Sequence, residues 1–318
     1  MISINPILSR SAGLDVHHRT VVCTVLIAEG ENQVTKTTRH FKTFRSELVK
    51  LAHWLNGQRI EVAVMESTGI YWKSVYRALE EAEVTTLVVN ARHVKVVPGR
   101  KTDACDSEWL AELGRYGLLR GSIIPPSDFR EWRLLTRYRR KLSGYVSAEK
   151  NRLHKLLDDC GIRLGCVVSD IDGVSARSMI EALIEGSMTP VQIARLAKGT
   201  LNRKVEDLIL SLEGDLSDRH RFLLKQVLAH LRGLEEEIRA IDRKVEEGLA
   251  PYKTQWQLLQ TIPGLDQASA AMLLVEIGVD MSRFGHKERL CSWAGVCPGN
   301  NESAGKKKVA EPDPATIT

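Results

Sequence analysis

The sequence predicts a mixed α/β domain followed by a mostly helical remainder. Three observations carry this: over about 125 residues, apolar runs of strand length alternate with helical spacing; past Pro125-Pro126 the apolar spacing is almost entirely helical; and four acidic residues, two on strands and two on a helix, fall where such a fold would bring them to one point. With 318 residues, 43% of them hydrophobic, the chain is long enough for two or three domains with buried cores.

The first part reads element by element. Residues 12–16 and 20–28 form two apolar strands joined by the polar turn His17-His18-Arg19, and Thr-rich residues 34–43 suit an exposed antiparallel strand. The period then changes. Phe44, Leu48, Leu51, Ala52 and Leu55 recur at helical spacing, with Ser46 as a start signal and Gly57 after the end. A strand at 61–65, a Ser67-Thr68-Gly69 loop, a helix near 72–82 and a strand at 84–89 follow. Beyond Pro98-Gly99 a helix starts near Asp103 and runs to Gly117.

This β-β-β-α-β-α-β-α order is that of ribonuclease H-like (RuvC-like) domains. In that fold the first strand, the end of the fourth and the last helix meet at the active centre, where Asp15, Glu66, Asp103 and Asp106 would sit. Four carboxylates from three segments suit two divalent cations about 4 Å apart in phosphodiester chemistry. Oxygen ligands select Mg2+ or Mn2+. Taken singly, each acid reads as a surface residue, or for Asp103 a helix cap.

The remainder is helical. From Asp218 to Leu249, residues Leu224, Val227, Leu231, Leu234, Ile238, Ile241 and Val245 make a coiled-coil seam, suited equally to a bundle within one chain or to a homo-oligomer. Shorter helices are expected at 147–158, 174–186, 189–198 and 201–213. Arg130, Arg133, Arg137, Arg139, Arg140 and Lys141 form a basic stretch continuing to Lys155, interleaved with Trp132, Tyr138 and Tyr145, that could neutralise phosphates and stack bases. Around Ile262-Pro263-Gly264 two apolar helices meet in a turn resembling a helix-hairpin-helix. The expected division is 1–125, 126–250 and 251–318. No apolar run reaches membrane-spanning length, and the start lacks the layout of a signal peptide, so a cytoplasmic protein is expected. Six cysteines without a CxxC pair argue for reduced packing residues.

Gly13-Leu14-Asp15-Val16-His17, Glu66-Ser67-Thr68-Gly69-Ile70-Tyr71-Trp72 and Lys101-Thr102-Asp103-Ala104-Cys105-Asp106 resemble the three motif blocks of insertion-sequence-110 family transposases, whose RuvC-like domain carries a DEDD tetrad. Ile262-Pro263-Gly264, the segment Phe284 to Trp293, and Gly295 to Lys306 are similar to that family's second domain. The resemblance implies DNA strand cleavage and rejoining, with Ser303 as a nucleophile forming a covalent phosphoserine link. It further implies a structured noncoding RNA that pairs with donor and target DNA, and a multimer. Lys306, Lys307 and Lys308 would screen phosphate charge beside Ser303. Two departures stand out: Ser107 replaces the usual alanine, and after Lys308 a Pro- and Asp-containing tail implies a partial C-terminal domain. The alternatives are a ribonuclease H-like nuclease or junction resolvase, or an inactive remnant that binds nucleic acid.

Overall fold

The computed structural model describes residues 6–29, 33–67, 69–91, 94 and 106–296, with short backbone segments at 302–303 and 306–307. It divides into two compact units, Met1–Ile124 and Pro125–Thr318.

The first unit is built on strands β1 (Arg10–Val16), β2 (Thr20–Ala28), β3 (Val34–Lys42), β4 (Val62–Glu66) and β5 (Thr86–Val89) in the order β3-β2-β1-β4-β5. β1, β2 and β3 pair antiparallel, whereas β4 and β5 join parallel to β1. Helices α1 (Arg45–Gly57), α2 (Trp72–Glu81) and α3 (Asp106–Arg115) connect and cover them, in the order read from the sequence. β5 begins two residues later than expected. Glu83 takes a left-handed conformation (φ 57°), and the amide of Val84 returns to the carbonyl of Leu79 at 2.9 Å, so Val84 closes α2 instead of opening the strand.

The alternation of side chains sorts this sheet into two faces. Ala12, Leu14, Val21, Cys23, Ala63 and Met65 are buried together with Leu48, Leu51 and Leu55 of α1 and Val75 and Leu79 of α2. Burial pushes the Cys23 thiol far above its ordinary value, leaving it a packing group. On the opposite face Val62 and Val64 pack against Leu110 and Leu113 of α3. α3 lies directly on β1 because position 13 is glycine: a Cβ there would stand 1.9 Å from the Ser107 carbonyl oxygen and 2.4 Å from the Ala111 nitrogen. Hydroxyls close the same contact. Ser11 Oγ donates to the Ala111 carbonyl at 2.9 Å, and Thr24 Oγ1 lies 2.8 Å from Ser107 Oγ and 2.9 Å from Thr38 Oγ1. Ser107, the departure noted in the sequence, thus partners the neighbouring strand.

In the second unit, α4 (Ser127–Asp159) and α8 (Asp218–Leu249) run antiparallel. Trp132 meets Gly248, Arg139 meets Asp242, and Asp159 meets His220, so partner numbers fall along α8 as they rise along α4. The helix expected only at 147–158 is the end of one 33-residue helix. No proline interrupts it, and buried Phe129, Leu142, Leu153 and Leu157 extend its apolar stripe through Gly144. The α8 seam packs inside the chain: Leu224, Val227 and Leu231 join Leu153, Leu157, Met179 and Ile180 in one core.

Helix α5 (Val174–Glu185) lies near its expected place, but the next two expected helices are shorter. α6 covers only Pro190–Ala194, opened by a Thr189/Gln192 capping box. The 201–213 segment divides into a 3-10 turn at Gly199–Lys204 and α7 at Val205–Ser211. Farther on, α9 (Lys253–Gln260) and α10 (Gln267–Ile277) meet around Pro263-Gly264, where Gly264 has φ 88°, a left-handed value that favours glycine. Asp266 caps α10 by accepting from the Ser269 amide at 2.7 Å. α11 (Lys287–Trp293) follows, and β6 (Glu302–Ser303) pairs antiparallel with β7 (Lys306–Lys307). Among the described residues no helix is long and apolar enough to cross a membrane.

Candidate functional site

The parallel β1–β4 ladder gathers the first two acids. Leu14 pairs with Met65 as the last recorded rung, so Asp15 and Glu66 leave neighbouring strands side by side, about 4.8 Å apart along the pairing direction. Leu14 and Met65 point into the α1/α2 core, so by alternation Asp15 and Glu66 project to the α3 face. Asp106 opens α3 and is exposed; the next residue, Ser107, has its carbonyl over Gly13, two positions before Asp15. Strand ends and helix start therefore converge at one end of the sheet. Asp103 lies outside the described residues.

Asp15 is largely buried, with 23% of its side chain exposed, and its Oδ2 lies 2.9 Å from Nε2 of His17. His17 therefore orients a carboxylate of the site. The sequence signal was available, because residues i and i+2 at a strand end point the same way. The donors brought together are carboxylate oxygens, whose chemistry fits a hard divalent cation. Among the described residues no group of three His, Cys, Asp or Glu side chains is gathered to hold an ion.

Several cations of the basic stretch meet carboxylates or carbonyls within the second unit. Arg133 Nε contacts Glu276 Oε2 at 3.1 Å and its Nη2 donates to the Glu276 carbonyl, while Arg137 forks onto the same carboxylate at 2.8 and 3.2 Å. Together they fasten the C-terminal end of α10 to α4. Burial lowers the pKa of Arg133, partly offset by Glu276. Arg139 forks onto Asp242 of α8 at 2.5 and 3.1 Å. Lys150 reaches Asp170 at 3.1 Å and Asp172 at 3.3 Å, and Arg152 pairs with Glu149. Arg130 Nη1 donates to the Pro125 carbonyl at 3.4 Å. Arg140 and Lys141 are exposed on α4, as are Tyr138 and Tyr145.

In the second unit the backbone of Ser303 sits opposite Lys306 across the β6–β7 pair, which places Lys306 and Lys307 on the adjoining strand. Lys308 lies outside the described residues.

Two family models match the sequence. One, a transposase model of the DEDD IS110 type, covers residues 12–162; the other, described as Transposase IS116/IS110/IS902 family, covers residues 256–312. Both are models of IS110-family transposases. The first transposase match takes in Asp15, Glu66, Asp103 and Asp106, and the second takes in Ser303. These matches support an enzyme acting on DNA. No curated protein matches the sequence. Among solved structures, a Thermus thermophilus RuvC structure matches at 20% identity with a TM-score of 0.24, covering 36% of this chain and 84% of that one.

Proposed function

We propose that the chain is an insertion-sequence transposase that cuts and rejoins DNA through a covalent serine–DNA intermediate, guided by a noncoding RNA. The observation that carries this reading is the ladder register that sets Asp15 and Glu66 on neighbouring strand ends beside the first turn of α3, within the residues matched by the DEDD transposase model.

Asp15, Glu66, Asp103 and Asp106 would hold Mg2+ or Mn2+. When bound, the cations supply charge stabilisation at the phosphate and activation of the attacking oxygen. His17 keeps the Asp15 carboxylate oriented. In the proposed reaction the Ser303 Oγ–phosphorus bond forms as a phosphorus–oxygen bond of the DNA breaks. The serine proton leaves to solvent or a base, and the departing DNA oxygen gains one. Attack by a hydroxyl of another DNA strand reverses the exchange, so bond energy is kept and no external energy source is needed. Lys306, Lys307 and Lys308 would offset phosphate charge beside the serine.

Base pairing with the RNA would choose the sequence, with the protein recognising helical shape and backbone. Exposed Arg140 and Lys141 are the members of the basic stretch best placed to add phosphate contacts. A homo-oligomer would bring carboxylates and serine together.

The test is the adduct. Wild-type protein given element-end DNA, the flanking RNA and Mg2+ should yield a protein–DNA species that survives denaturing electrophoresis, and Ser303→Ala should not. An adduct in Ser303→Ala, or none in wild type, would refute the serine step.

A further inference from the structure

Sheet register carries the site beyond its acids. Asp15 pairs with Val22, and Val22 with His40, so Glu66, Asp15, Val22 and His40 form one row across four strands with side chains on one face. The next row on that face holds Thr20 and Lys42. α3 covers the lower rows only, where Ser107 meets Thr24 and Lys36 reaches Glu108 at 3.0 Å. Above them His40, Lys42 and Thr20 are exposed and Val22 is half-buried.

We propose that this open half of the face, over β2 and β3, is a track for the phosphodiester backbone of the DNA, with Lys42 and His40 as its phosphate contacts; the assignment rests on the transposase reading above. Charge complementarity selects the occupant. From Val34 to Lys42 β3 carries Lys36, Arg39, His40 and Lys42 and no acidic residue, and the adjoining turn is His17-His18-Arg19. Arg39 points the other way, 4.7 Å over the Trp54 ring, so alternation leaves Lys36, His40 and Lys42 on the face of the carboxylates. Two strand spacings put His40 about 10 Å from Asp15. That reach exceeds the roughly 3.4 Å axial rise per nucleotide of a DNA strand, so the track would meet a phosphate other than the one held at the acids. A basic track next to an acidic site also prevents the carboxylates from repelling the strand they are to cut.

Salt dependence of binding tests the track. Full-length protein would be titrated against a labelled mixed-sequence DNA duplex over a range of KCl concentrations, with RNA duplex of the same sequence run alongside. Losing one phosphate contact in Lys42→Ala should flatten the slope of log K against log salt by about 0.9. Lys42→Arg should restore it, and Lys50→Ala, which removes the same charge from α1, should leave it unchanged. An unaltered slope in Lys42→Ala would overturn the track, as would a change confined to the RNA duplex. A lysine that only keeps an open sheet edge from pairing gives that unaltered slope. Should wild type bind DNA without salt dependence, or not at all, the transposase reading itself falls; an unaltered Lys42→Ala slope on a DNA-binding wild type removes the track alone.

Discussion

In the first unit the charged groups that matter stand at the open end of a sheet: Asp15 and Glu66 end neighbouring strands, with His17, His40 and Lys42 nearby. In the second unit comparable charges are turned inward. Arg133 and Arg137 share Glu276, Arg139 holds Asp242, and Arg177 joins Asp172 to Glu235 across α5 and α8. Asp15 and Glu66 stand where the recorded β1–β4 ladder ends, with the first turn of α3 beside them. Along the packed helices of the second unit, Arg133, Arg137, Arg139 and Arg177 meet carboxylates of neighbouring elements. Substitutions should therefore separate the units, with charge changes costing stability in the second and activity in the first.

The largest stability effect is expected from a residue without charge. Gly13→Ala should lower the stability of the first unit by more than about 3 kcal/mol in urea unfolding, because its Cβ would run into the backbone of α3. A loss below about 1 kcal/mol would mean that α3 does not rest on β1 as described.

Next comes Asp172, whose side chain is 4% exposed between Arg177 and Lys150. Removing it in Asp172→Ala should cost about 3 kcal/mol, since two cations lose their buried partner. Its pH dependence has a definite sign. Burial raises the carboxyl pKa, but the hydrogen bonds from Arg177 and Lys150 outweigh it, and the pKa lies below its ordinary value. The contribution is therefore complete above the unfolded value of about 3.9 and is lost as pH falls through the folded one. Comparing wild type with Asp172→Asn, the stability gap should be constant at neutral pH and close below about pH 4. A gap that widened on acidification would contradict the pairing.

Smaller effects follow. Arg133→Ala should destabilise the second unit by about 1 kcal/mol, limited because Arg137 still holds Glu276. Double substitution of Arg133 and Arg137 should exceed the sum of the single losses, and strict additivity would show that they do not share the carboxylate. Smallest is Ser107→Ala, expected at about 1 kcal/mol or less, since Thr24 keeps Thr38 as a partner.

Much of the first unit was legible in the sequence because its signals are local. Apolar runs of strand length marked β1, β2 and β4, and Asp15 and Glu66 stood at the ends of two of them. The start of β5 was not legible, since it depends on Glu83 turning left-handed to end α2. In the second unit, the seam of α8 was readable but its partner was not. Which surface buries Leu224 and Leu231 depends on α4 folding as one helix, and a run rich in arginine hides that helix's apolar stripe. The ion pairs of the basic stretch were equally hidden. Glu276 and Asp242, which meet Arg133, Arg137 and Arg139, lie more than a hundred positions away in sequence. His17 was within reach of the sequence, since it follows Asp15 by two positions at a strand end and meets its carboxylate.

The contrast between the units rests most directly on Asp15. DNA cleavage by wild type and Asp15→Asn would be measured with Mg2+ or Mn2+, alongside urea unfolding of both. Cleavage should fall more than about 100-fold on loss of this ligand, while stability changes by no more than about 0.5 kcal/mol. Undiminished cleavage by a folded Asp15→Asn protein would contradict a carboxylate centre at the strand ends.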